Sequence, residues 1–499
     1  MDRHKKAIER RNCHPESWFW ETDEGQKWLS SFVVAVLYDF AIGEGVGAGK
    51  LSRFFKRLHL EKHVGSSPTA LLNQTRRLEC LLSDYQQVHE EQQRQSGICR
   101  DVVAGGDETF FKGLMMLVLM DLPSGYLLME EVAEERSYET WNEKAQNRLD
   151  QLGVRVVHFV SDRAKALIKL ALEGFGCRSG ADLFHGEYEI TKWLGLGFRR
   201  QSGRIKKQQE KAKKRLIVLR KSDTKPEEVQ KQIGEIEQHE AKLQIVQAGK
   251  DDYHGALRKI SMAVHPFVLE NSRQQTSEQV EKTLREQSLE FKKIAENHVI
   301  ADSKNSLGKF NRQIKDVASI VDVWRVWAEE SLAIYELEPE FRNWLLSSLL
   351  PVIYWHKQLN KTQNPSLKIA YKKAMERVLA TWRSHPLTQS LSSDEIERWR
   401  FWAEWISDKF QRTSSAVEGR NGWLSQMYHN GRGMTVQRLK ALTVIHNFDL
   451  RRSDDTTAAE RLFKTQFPDP FEWVVSRMGP LPMARKARER AVSNPLILH

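Results

Sequence analysis

The chain has 499 residues, 40% hydrophobic and 29% charged, which excludes disordered, collagen-like and membrane-spanning classes and suits about two to four domains. Lysine and arginine outnumber aspartate and glutamate by 77 to 66, a net charge of +11, so a polyanion is the expected partner and nucleic acid the first candidate. The four cysteines, Cys13, Cys80, Cys99 and Cys177, include no Cys-x-x-Cys pair, which argues against a disulfide framework or a cysteine-rich zinc site.

The most apolar stretch, Phe32 to Ile42, is broken by Asp39 and is shorter than the ~20 residues that a spanning helix needs, so no membrane association is expected. The polar start Met1-Asp2-Arg3-His4-Lys5-Lys6 lacks the pattern of a secretory signal, and a cytoplasmic address is expected.

Residues 1–96 read as a helical DNA-binding region. Lys50 to Leu58 is a short amphipathic helix, Val64-Gly65-Ser66-Ser67-Pro68 a turn with Ser67 as N-cap, and Thr69 to about Tyr85 a second helix. Asn73, Gln74, Arg76 and Arg77 cluster on the second helix, as in a helix-turn-helix reader of the major groove; a plain helical hairpin with a basic face fits the same residues. On the first reading this region carries sequence preference and is dispensable for the folding of the rest.

After Gly97 the pattern changes to short apolar runs. Asp101 to Phe110, Gly113 to Met120 and Tyr126 to Val132 predict an antiparallel meander, its last two strands joined at Asp121-Leu122-Pro123-Ser124-Gly125. A helix over Ser137 to Leu152, a buried strand over Val154 to Val160, a helix over Arg163 to Phe175 and a strand over Ala181 to Phe184 follow. Three antiparallel strands followed by strands reached through helices predict an α/β ribonuclease-H-like mixed sheet, its first part spanning 97–198.

An all-helical insertion is predicted over 199–412. Residues 199–221 hold eleven basic residues against Glu210 alone, and the spacing of Ile205, Ala212, Leu216 and Leu219, then of Val229, Ile233, Ile236 and Leu243, predicts a coiled-coil-like hairpin. One-sided charge makes Lys206, Lys207, Lys213 and Lys214 candidate phosphate contacts, against the alternative of a solvated face. The tryptophans from Trp324 to Trp405 read as an aromatic helical core rather than a base-stacking surface. Residues 413–455 would return to the sheet domain, and 456–499 read as a tail whose end carries Arg485, Lys486, Arg488 and Arg490.

Three acids stand out. Asp107 lies on the first predicted strand and Asp162 just past the fourth, where two carboxylates can hold hard divalent cations for phosphodiester chemistry. Glu418, in Ser414-Ser415-Ala416-Val417-Glu418-Gly419-Arg420-Asn421-Gly422, is the third candidate; Ser415 and Glu418 also have the spacing of a capping box, and Glu187 and Glu189 are rivals for the same role.

Asp107, Asp162, the element Asp182-Leu183-Phe184-His185, the long helical insertion and the block around Glu418 together resemble the DDE transposases of bacterial insertion sequences. The Asp-x-x-His element is similar to that of hAT and Mutator-like enzymes. The resemblance covers about residues 97–450. It implies that Asp107, Asp162 and Glu418 are the catalytic, metal-holding acids, that Asp182 and His185 are auxiliary, and that two divalent ions, Mg2+ with Mn2+ as a substitute, are the cofactors. It further implies double-stranded DNA as partner, both element ends and target, a homodimer or higher oligomer on that DNA, and a place at the bacterial nucleoid. Arg163, Lys165 and Arg420, beside these acids, are candidate phosphate contacts. Two other readings stay open: a transposase-derived DNA-binding protein without cleavage activity, and a ribonuclease-H-like nuclease without strand transfer.

Overall fold

The computed structural model describes residues 17–20, 22–111, 113–222, 225–429 and 434–482. The segment Met1 to Lys6, Cys13 and the basic residues Arg485, Lys486, Arg488 and Arg490 lie outside these. In chain order the elements used below are α1 (Ala48–Arg57), α2 (Pro68–Gln95), β1 (Arg100–Phe111), β2 (Leu114–Asp121), β3 (Tyr126–Ala133), α3 (Tyr138–Leu152), β4 (Val154–Ser161), β5 (Arg178–Ala181), α4 (Leu183–Ile190), α5 (Leu196–Lys221), α6 (Pro226–Ala263), α7 (Ser415–His429) and α8 (Val436–Phe448). Other helices are named by range. Among the described residues no helix is long and apolar enough to cross a membrane.

The expected mixed sheet forms, with strand order β3-β2-β1-β4-β5. The first three strands are an antiparallel meander, in which Asp107 sits opposite Val118, and β4 and β5 run parallel. Local chemistry accounts for the boundaries. The Asp121 carboxylate accepts from the backbone N–H of Ser124, and Gly125 takes a left-handed φ of 77°, closing the β2–β3 turn. Ser137 caps α3, and Gly153 ends it at a φ of 62°.

The chain divides into two compact units, and the division falls inside β4. The first comprises residues up to Val156 and from Ala416 onward. Within it α2 runs to Gln95, about ten residues beyond the predicted helix, and from Leu78 onward one of its faces packs into the core. Leu78, Leu82 and Tyr85 are fully buried, and the Tyr85 hydroxyl donates to the Pro468 carbonyl. Glu90, buried, pairs with Arg148 of α3 at 2.5 Å and accepts from the Tyr126 hydroxyl of β3. Through α2 the described residues of the N-terminal region share the core of the meander, which corrects the expectation that this region is dispensable for folding. Residues 456–482, read as part of a tail, pack instead: helices Ala458–Phe463 and Pro470–Arg477 bury Phe463 and Val474, and Phe471 packs edge-on against Tyr38.

The second unit, Val157 to Ser415, holds β5 and the helical insertion. β5 ends at Ala181, the first residue of the predicted strand, because the Asp182 carboxylate accepts from the backbone N–H of Phe184 and starts α4 there. The basic hairpin forms as α5 and α6. Its seam is thin, since of the eight predicted seam residues only Ala212 is buried and the other seven are half-exposed. The tryptophans behave as the core reading requires: Trp324, Trp344 and Trp355 are fully buried, Trp402 nearly so, and only Trp405 of the set is substantially exposed.

Candidate functional site

The first unit brings two of the three acids to neighbouring elements. β1 enters the core as Val102-Val103-Ala104 and then Gly105-Gly106, so the strand is stripped of side chains just before Asp107. A Cβ built at Gly105 would lie 2.6 Å from Leu122 Cδ2 and 3.2 Å from Val417 Cγ2, which means α7 approaches β1 closely at that residue. Residues 105 and 107 share a strand face, and 417 and 421 share a helix face. The register continues accordingly: the Asn421 amide donates to Asp107 Oδ2 at 2.8 Å, across 314 residues of sequence. Glu418 lies one helical turn before Asn421 on the same side of α7. Asp107 and Glu418 are both half-buried.

Further along, α7 is fastened by a buried ion pair. Arg420 Nε and Nη2 meet the two oxygens of Glu130, on β3, at 2.7 and 2.8 Å, and the Thr443 hydroxyl of α8 donates to the same carboxylate at 2.7 Å. The Arg420 and Glu130 side chains are only 4% and 0% exposed, and the guanidinium also stacks over Trp423. Arg420 is therefore not positioned as a phosphate contact. Its charge is consumed inside the protein, because a buried carboxylate needs a buried cation.

In the second unit Asp162 follows β4, and its carboxylate accepts from the backbone N–H of Ala164 at 2.8 Å. Arg163, with φ at 66°, pairs with Asp316 at 3.2 Å, while Lys165 is exposed. Asp182 is almost fully buried. Beyond capping α4 it accepts from the Ser414 hydroxyl at 2.5 Å, and His185 Nε2 stands 3.7 Å from the same carboxylate oxygen. Burial pushes its carboxyl above the usual range, and the Ser414 hydrogen bond and His185 act against that. Leu183 donates its N–H to the Arg412 carbonyl, so residues 412–414 are tied to 182–183. The Asp-x-x-His element thus anchors the segment that leads into α7. Ser414, not Ser415, is the residue that precedes this helix, and its hydroxyl donates to Asp182.

The rival acids are engaged elsewhere in this unit. Glu187 accepts from Ser261 at 2.7 Å and is raised by burial, with the Ser261 hydrogen bond and Arg412 opposing; Glu189 pairs with Lys309 at 2.9 Å. Among the described residues no three His, Cys, Asp or Glu side chains are gathered as a metal-holding group. Carboxylates that share a site repel one another until a cation offsets their charge. Asp107 on β1 and Glu418 and Asn421 on α7 offer carboxylate and carboxamide oxygens, the hard-donor chemistry that suits magnesium or manganese.

The candidate DNA contacts divide by exposure. Asn73, Arg76 and Arg77 are exposed on one face of α2, whereas Gln74 is half-buried. Lys206, Lys207, Lys213 and Lys214 are all exposed on α5. Sequence reasoning missed Asn421, Glu130 and the Asp182–Ser414 tie. Of these only Asn421 carried a signal, its spacing of three from Glu418 on one helix.

The family of unknown function DUF6399 matches residues 345–490, a stretch that includes the whole of α7 and the Glu418 block. No curated protein matches the chain.

Proposed function

We propose that this chain is a DDE-type transposase, acting on double-stranded DNA with Asp107, Asp162 and Glu418 as its metal-holding acids. The observation that carries the reading is the seating of α7 on β1, where Asn421 of the Glu418 helix bonds to Asp107. A helix that follows a long helical insertion returns to the strand bearing the first acid, the juxtaposition that a split catalytic sheet needs. The strand order β3-β2-β1-β4-β5, with a meander first and crossovers after, supports the ribonuclease-H-like class. Glu418 is favoured as third acid because it shares α7 with Asn421, the residue that bonds to Asp107.

In this reading Asp107, Asp162 and Glu418 hold magnesium or manganese, whose chemistry is to activate an attacking oxygen and stabilise the leaving one. Asn421 keeps Asp107 oriented, the Arg420–Glu130 pair holds α7 on the meander, and Asp182 holds the segment before it. The exposed lysines of α5 bind phosphates without regard to sequence, and Asn73, Arg76 and Arg77 are the base-reading candidates. Positioning and charge stabilisation supply the rate enhancement, so no covalent protein intermediate is needed.

The test is cleavage and joining of plasmid DNA carrying the sequences that flank the gene, in Mg2+ or Mn2+. Asp107→Asn, Asp162→Asn and Glu418→Gln should each abolish both steps while leaving folding and DNA binding near normal. Retained cleavage in either aspartate variant overturns the enzyme reading. Cleavage without joined products leaves a nuclease on the same fold.

A further inference from the structure

Asn421 has two polar atoms, and only one is accounted for. A carboxylate can only accept, so the atom facing Asp107 Oδ2 at 2.8 Å is the amide nitrogen, which assigns the other position to the carbonyl oxygen Oδ1. That oxygen is buried and has no hydrogen-bond partner among the described residues, in a side chain belonging to a residue only 7% exposed. Buried acceptors of this kind are uncommon and cost about 1–3 kcal/mol when nothing meets them. Both heteroatoms sit on one carbon, so Oδ1 is held near Asp107, and Asn421 itself lies three residues after Glu418 on the same helix.

We propose that Asn421 Oδ1 is a ligand, direct or through one water, to the divalent cation that Asp107 holds, while its amide nitrogen fixes the Asp107 carboxylate. The inference rests on the metal-dependent reading above and extends it by one residue. Two features make the assignment specific. Asn421 is rigidly set, since Val417 one turn earlier packs against Gly105 and Arg420 beside it is locked to Glu130. A neutral carbonyl also contributes a hard oxygen without adding a fourth negative charge, and asparagine carbonyls are established ligands for hard cations.

The experiment measures Mn2+ binding to the intact chain by the loss of the free-ion EPR signal, without DNA, for wild type, Asn421→Leu, Asn421→Asp and Asp107→Asn. Circular dichroism checks folding for each. Asn421→Leu should bind Mn2+ at least about tenfold more weakly than wild type, the usual scale for a lost ligand or orienting group. Asn421→Asp keeps an oxygen in place and adds charge. It should bind Mn2+ at least as tightly as wild type, be less heat-stable than wild type without metal, and gain more stability from added Mn2+. A residue that only orients Asp107 would lose binding in both variants alike, and that result overturns the proposal. So does wild-type affinity in Asn421→Leu while Asp107→Asn binds no Mn2+, an outcome that leaves the metal reading intact. Wild-type affinity in Asp107→Asn removes the metal reading itself, and this inference with it.

Discussion

Substituting Arg420 separates two roles that its sequence context allows. As a phosphate contact it would sit at the surface, where its loss changes stability by no more than about 0.5 kcal/mol and lowers the slope of DNA affinity against salt by about one counterion. The structure instead gives it two charge-assisted bonds to Glu130 with both side chains almost out of solvent. Arg420→Met would leave the Glu130 carboxylate buried and uncompensated, with the Thr443 hydroxyl still donating to it, and breaking one side of a buried pair costs about 3–5 kcal/mol. At 1.36 kcal/mol per decade that is roughly two to four powers of ten in the folding equilibrium. The paired variant Glu130→Met with Arg420→Met removes both charges and keeps side-chain volume, so it should recover most of the loss. Urea unfolding followed by circular dichroism gives the three stabilities, and a salt titration of duplex binding gives the slope. Wild-type stability in Arg420→Met together with a reduced salt slope would refute the buried-pair account and return Arg420 to the DNA.

Three further outcomes are expected. Deleting residues 1–96 should abolish folding of the first unit, because it strips the partners of Arg148 and Tyr126; a folded, soluble deletion product in a size-exclusion and circular dichroism comparison would contradict this. Replacing Asn73, Arg76 and Arg77 by alanine should instead leave stability near wild type and reduce the affinity ratio of element ends to random duplex at fixed salt, and an unchanged ratio would move end recognition elsewhere. Neutralising Lys206, Lys207, Lys213 and Lys214 together should weaken binding to all duplexes and flatten its salt dependence, a change that gel-shift titrations at several salt concentrations would reveal.

A fourth expectation concerns pH. His158, 2% exposed on β4 and edge-on to Trp327, has its pKa lowered by burial to about 4, with Arg178 adding to the effect. The unfolded chain protonates this imidazole near its ordinary value of 6.5, so the folded state binds fewer protons between those two values. The contribution of His158 to stability is therefore complete above about pH 6.5 and falls as pH drops toward 4, by up to about 3 kcal/mol. His158→Phe should flatten the stability profile over that window, as read from thermal melts between pH 4 and 8; a profile as steep as wild type would exclude His158 as a source of the slope.

The sequence by itself determined the elements whose causes are local. The meander was legible because apolar runs of strand length are punctuated by turn residues at Asp121 to Gly125, and α3 because Ser137 and Gly153 mark its ends. The basic hairpin and the aromatic core of the insertion were legible for the same kind of reason, since spacing along a helix fixes which residues share a face. Local chemistry also misled where two signals overlapped: Leu183 and Phe184 read as strand residues until the Asp182 cap makes them the start of α4.

Only the tertiary structure decided what the charged and polar side chains do. Arg420 and Arg77 look equally basic in sequence, yet one is buried on Glu130 from another strand and the other is exposed on α2. Glu189 was a plausible ligand until Lys309, far along the chain, was seen beside it, and the second half of α2 was an ordinary amphipathic helix until the C-terminal helices closed over Tyr85. The pairing of Asn421 with Asp107 belongs to the same class. Helix and strand formation are governed by neighbours a few residues away, whereas the fate of a charge depends on which distant segment removes it from water, and that is settled only when the chain packs.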